Sequence, residues 1–152
     1  MTRSTRLVPG GVFAIVLGAP FTPVVGNAAP DTLSVELSGL RDSHGQVLCW
    51  LFAGPAGFPG ATSRAMAKTV APIDHQHATC HFEGVPPGDY AVVVVHDRNG
   101  NGRLDKNFFG LPAEGVGASN NPAARFGPPK FDAARFSYGG GAKTLSIQVR
   151  YL

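Results

Sequence analysis

Charge is scarce in this sequence. Asp, Glu, Lys and Arg make up 15% of its 152 residues, against about a quarter in ordinary globular domains. Cysteine is nearly absent, at two residues, and tryptophan occurs once. Each shortage excludes something. Without a run of Lys and Arg the chain lacks the electrostatic footprint of a nucleic-acid binder. Without ~20 consecutive apolar residues it lacks a membrane-spanning helix. No C-x-x-C pair signals redox chemistry. No G-x-S-x-G elbow signals a serine hydrolase, since Ser119 is followed by Asn120 and Asn121. No segment repeats. Glycine and proline, by contrast, are plentiful at 20 and 13 residues. Both break helices, so short strands joined by many turns are expected. An apolar share of 43% is enough for a core, and the length suits one domain.

The first residues read as an export signal. Arg3 and Arg6 form a basic start, and Val12 to Leu17 an apolar stretch. Gly26-Asn27-Ala28 places small residues at the −3 and −1 positions of a cleavage site. Cleavage after Ala28 is preferred over cleavage after Ala29, which would put Pro30 at +1. A membrane anchor is the alternative, but Pro20 and Pro23 interrupt the apolar stretch. Removing residues 1–28 takes Arg3 and Arg6 and no acidic residue, so the net charge falls from +3 to +1. The expected location is periplasmic or secreted. Cys49 and Cys80 then suggest one disulfide, with two buried thiols as the alternative.

Thr32 to Ser38 alternates apolar and polar residues, placing Leu33, Val35 and Leu37 on one face. Gln46 to Phe52 is apolar on both faces, which suggests a central strand covered on both sides. Thr62 to Ala67 suggests a helical turn or two. Ala78 to Phe82 is a further strand, and Pro86-Pro87-Gly88-Asp89 forces a turn. Tyr90 to His96, with four consecutive valines, is the strongest strand signal. Ala133–Tyr138 and Leu145–Tyr151 read as a final hairpin joined by Gly139-Gly140-Gly141. Together these predict an all-β single domain over residues 29–152. It would be a sandwich of about seven strands, immunoglobulin-like or transthyretin-like.

One motif carries chemistry. After the valine strand the chain reads Asp97-Arg98-Asn99-Gly100-Asn101-Gly102-Arg103-Leu104-Asp105. A calcium loop needs oxygen ligands at its positions 1, 3, 5 and 9, a backbone carbonyl at 7, and Gly at 6 for a sharp turn. Asp97, Asn99, Asn101, Gly102, the Arg103 carbonyl and Asp105 supply these in register. Position 12, a bidentate Glu in an EF-hand, is Phe108, and a strand rather than a helix enters the loop. So this is no EF-hand, and Glu114 is the nearest downstream carboxylate able to complete the set. The alternative is an Asx-rich turn without metal. With few carboxylates and Arg98, Arg103 and Lys106 nearby, the expected Kd is about 10⁻⁴ to 10⁻³ M.

Residues 106–132 form a long stretch without periodicity, a candidate binding surface or a cover for an open sheet edge. Phe108, Phe109, Phe126 and Phe131 are expected to anchor it on the sandwich. His75, His77 and His81 share one parity and offer a Cu²⁺ or Zn²⁺ site, or simply a solvated face. His96 beside Asp97 offers a general base for a small periplasmic hydrolase, with Asp97 or Glu114 as its carboxylate. The alternative is a strand-end histidine making one hydrogen bond. Trp50 is expected in the core.

The segments Phe82–Val92, His96–Asp105, Phe109–Gly115, Ser119–Asn121 and Gly127–Phe131 resemble DUF2141, a family of exported bacterial proteins. The likeness runs from Leu33 to Tyr151. It implies a small secreted or periplasmic β-sandwich of unknown function and brings no catalytic residues. The Gly88-Asp89-Tyr90-Ala91-Val92 stretch also looks like transthyretin-like modules of surface proteins. Neither the cysteine pair nor the three histidines come from the resemblance. The reading is a non-catalytic binding or envelope-associated module with a structural Ca²⁺ loop, its partner an unidentified protein, glycan or envelope ligand.

Overall fold

The computed structural model describes residues 31–123 and 127–152. The expected signal segment and Phe126 lie outside them. Among the described residues there are eight strands: β1 (Thr32–Ser38), β2 (Gln46–Phe52), β3 (Ala67–Pro72), β4 (Ala78–Glu83), β5 (Gly88–Asp97), β6 (Gly115–Ala118), β7 (Phe136–Tyr138) and β8 (Lys143–Gln148). A 3₁₀ turn at Thr62–Arg64 and a short helix α1 (Phe131–Ala134) complete the set.

They form a two-sheet β-sandwich. The smaller sheet runs β4-β1-β8, with β1 antiparallel to β4 and parallel to β8. The larger runs β3-β2-β5-β6, with β7 pairing the first residues of β5 on the same edge as β6. Alternation decides what lies between the sheets. Leu33, Val35 and Leu37 of β1 meet Val47, Cys49 and Leu51 of β2 and Val92 and Val94 of β5 in the main core. Cys49 and Cys80 are bonded, tying β2 of one sheet to β4 of the other. Burying each apolar side chain of this size contributes about 1.5–3 kcal/mol.

The opposite residues of β2 and β5 are buried as well. Leu48, Trp50, Phe52, Ala91, Val93 and Val95 form a second core on the outer face of the larger sheet. Phe58, Ala65, Leu104, Phe131 and Ala134 cover it. This is why β2 and the valine run are apolar on both faces.

Three expectations need correction. The C-terminal strands are not a hairpin: β7 pairs β5, and β8 pairs β1. The 106–132 segment is not structureless, since it holds β6 and the start of α1. Phe131 anchors it, but Phe108 and Phe109 do not. They are 97% and 83% exposed.

Candidate functional site

Strand β5 ends at Asp97, and the next eight residues fold back on its carboxylate. Asp97 is fully buried. Its Oδ1 accepts the Asn101 N–H at 3.0 Å, and its Oδ2 accepts the Gly102 N–H and Gln46 Nε2, both at 2.8 Å. Gly100 and Gly102 take φ of 72° and 81°, the left-handed region that a side chain disfavours. Burial opposes ionisation of Asp97. The donors from Gln46, Gly102, Asn101 and Gly100 outweigh it and hold the carboxyl below the ordinary 3.8.

The two asparagines repeat this local pattern. Asn99 Oδ1 accepts the Asn101 N–H at 3.1 Å, and Asn101 Oδ1 accepts the Arg103 N–H at 3.0 Å. Their amide nitrogens both turn to Asp105 Oδ2, at 2.6 and 2.8 Å. Glu114 then closes the loop from behind. It is 8% exposed, and its two oxygens accept the N–H groups of Arg98 at 3.0 Å and Asp105 at 3.1 Å. One carboxylate thus joins both ends of the loop. Glu114 was expected beside the loop as a cation ligand, and it stands there as a clamp on the backbone.

An open cleft of about 420 Å³ borders the loop, lined by His44, Arg98, Asn99, Asp105, Ala113 and Glu114. Its far wall is the β1–β2 turn. There Asp42 accepts the His44 N–H at 3.0 Å and Arg98 Nε at 2.8 Å. The His44 N–H, with Arg98 adding, holds the Asp42 carboxyl below its ordinary value.

The other candidates are not brought together. His96 is fully buried, and both ring nitrogens are committed. Nε2 donates to the His44 carbonyl at 2.8 Å, and Nδ1 accepts from Tyr151 Oη at 2.5 Å. Tyr151 Oη in turn accepts the Arg41 N–H at 2.9 Å. This ring joins strand and turn and offers no nitrogen to a substrate. His75 lies in a turn with φ 46°, not on a strand, and its Nδ1 sits 2.7 Å from Asp74 Oδ1. His81 Nδ1 pairs with Ser34 Oγ at 3.1 Å. Among the described residues no three His, Cys, Asp or Glu side chains converge as a metal site would require.

Sequence reasoning missed Gln46, Asp42 and Tyr151. Gln46 lies directly across from Asp97 in the β2–β5 register, a fact visible only once the strands are paired.

Fold and site together define a disulfide-bonded β-sandwich whose polar end is an Asp- and Asn-rich loop stapled to its own sheet. The chain belongs to DUF2141, a family described as uncharacterized protein conserved in bacteria, which matches residues 35–146. No curated protein and no solved structure matches the chain.

Proposed function

We propose that this protein is an exported, non-catalytic binding module whose 97–105 loop takes one Ca²⁺ and presents the adjoining 106–114 segment to a partner. The observation that carries the reading is the closure of the loop. Asp97 gathers the N–H groups of loop positions 5 and 6, and Glu114 ties its two ends. This is a turn of calcium-loop sequence held in a tight ring. The disulfide fits an oxidising compartment outside the cytoplasm. Among the described residues no helix is long and apolar enough to cross a membrane.

Asp97, Asn99, Asn101, Asp105 and the Arg103 carbonyl are the oxygen donors a hard cation would use. Glu114 is a third carboxylate beside the loop, with its two oxygens holding the Arg98 and Asp105 N–H groups. The asparagine amides now stand against Asp105 where a cation would share its charge. Turning them to offer oxygen gives up two Asx-turn hydrogen bonds, which keeps affinity in the weak extracellular range, Kd about 10⁻⁴ to 10⁻³ M.

The test is thermal unfolding in EDTA and then in about 5 mM Ca²⁺. At a Kd of ~0.1 mM, mass action adds roughly 2 kcal/mol, a rise of about 6–10 °C. The Asp97→Ala, Asp105→Ala double variant should lose that rise. No rise in wild type, together with none in an Asn99→Asp, Asn101→Asp variant carrying two added carboxylates, overturns the calcium assignment.

A further inference from the structure

Two of the six asparagines in the chain precede a glycine, Asn99-Gly100 and Asn101-Gly102, and both are exposed in the loop. Glycine has no side chain to screen its backbone nitrogen, so that nitrogen can reach the preceding carboxamide carbon. The two carboxamides are polarised alike, their Oδ1 atoms accepting the Asn101 and Arg103 N–H groups at 3.1 and 3.0 Å. The glycine nitrogens are not held alike. The Gly102 N–H donates at 2.8 Å to Oδ2 of the buried Asp97. The Gly100 N–H donates to the Asp97 carbonyl at 3.4 Å, a long contact. Of the four donors that hold the Asp97 carboxylate ionised, Gly100 contributes least. A fixed negative charge opposes removal of a proton from the nitrogen bonded to it. The nucleophile is therefore withheld from Asn101 and left to Asn99.

We propose that Asn99 is a site of spontaneous deamidation, and that its conversion sets a second carboxylate against Asp105. The Gly100 nitrogen forms a bond to Asn99 Cγ, the Cγ–Nδ2 bond breaks, and ammonia leaves with the Gly100 proton. Water then opens the succinimide to aspartate or isoaspartate. One amide and one water become one carboxylic acid and ammonia, with nothing oxidised or reduced. The loop changes character as a result. Asn99 Nδ2 now donates to Asp105 Oδ2 at 2.6 Å. A carboxylate at position 99 has no proton to give there and meets Asp105 as a like charge. Arg103 Nε lies 3.8 Å from the other Asp105 oxygen, on a side chain 80% exposed, too loosely held to neutralise the pair. The proposal goes beyond the calcium reading and stands without it.

The test is incubation of residues 29–152, which contain both sheets and both cores, in mildly alkaline buffer with EDTA. Peptide mass mapping then resolves aspartate and isoaspartate at position 99 from those at 101. The same chain unfolded in urea is the reference, and there both asparagines should convert at similar rates. In the folded protein conversion at 99 should exceed that at 101 by at least about tenfold, the cost of releasing a hydrogen bond from a carboxylate. Equal conversion in the fold, or faster conversion at 101, overturns the proposal. So does an Asn99 still intact long after the urea-unfolded chain has converted. Melting in EDTA tests the consequence. Asn99→Asp should melt about 2–5 °C below wild type. Asn99→Asp with Asp105→Asn, which restores one donor and one acceptor, should recover most of that loss. An Asn99→Asp variant that melts with wild type, or a charge swap that stays as low as Asn99→Asp, overturns the like-charge step. Calcium is absent throughout, so failure here is distinguishable from failure of the calcium reading.

Discussion

The space between the sheets and the 97–114 loop are both closed and internally satisfied, by opposite means. Between the sheets, order comes from buried aliphatic side chains and one covalent bond across the layers. In the loop it comes from carboxylates and carboxamides that accept backbone N–H groups one by one. The first kind of order responds to redox conditions and is nearly indifferent to proton concentration. The second responds to protons and is indifferent to reductant. One molecule therefore carries a rigid platform and, at one end, a chemically adjustable loop.

Three experiments strain that contrast, in falling order of effect. Replacing Cys49 and Cys80 by Ala should lower unfolding free energy by roughly 3–4 kcal/mol, the loop-closure value for a separation of 31 residues. Denaturant melts check it, and the loss should be the same at neutral and mildly acidic pH. Next, Glu114→Ala removes the acceptor of two N–H groups at the loop ends and should cost about 2–3 kcal/mol, with Glu114→Gln costing less. A loss below about 0.5 kcal/mol, typical of surface changes, would show that the loop closes without it. The smallest effect concerns Asp97. Its carboxyl is lowered in the fold relative to 3.8, so the stability it contributes is fully present above that value. It drains away as pH falls through the folded pKa. Asp97→Asn should cost about 1–2 kcal/mol at neutral pH, and the gap to wild type should narrow as pH falls below 3.8. A gap that stays constant over that range would assign the Asp97 contribution to shape alone.

The platform was far more legible in the sequence than the loop's surroundings. β1, β2, β4 and β5 announce themselves because their alternation or double-sided apolarity reflects what they bury. β3 is weaker: an edge strand with Val70 half exposed and a Pro at its end. β6 reads as loop because Gly115-Val116-Gly117-Ala118 has little strand propensity. Its glycines answer to packing instead. A Cβ on Gly115 would lie 2.6 Å from the Tyr151 ring, and one on Gly117 2.8 Å from Ile147 Cγ2. The C-terminal pairing failed for a different reason: period gives a strand its face but not its neighbour. In the site, the spacing of Asp97, Asn99, Asn101 and Asp105 was visible, and Glu114, read from the sequence as a cation ligand, bonds the backbone at both ends of the loop. That Phe108 and Phe109 stand exposed goes with the Asn107 turn, which composition does not encode.

The parallel pairing of β1 with β8 has a kinetic consequence. Residues 33–38 are bonded to residues 143–148, so the smaller sheet is complete only when nearly the whole chain is present. Contacts of such long sequence separation form late and slowly. A chain wired this way leaves its smaller sheet open until residues 143–148 have been made.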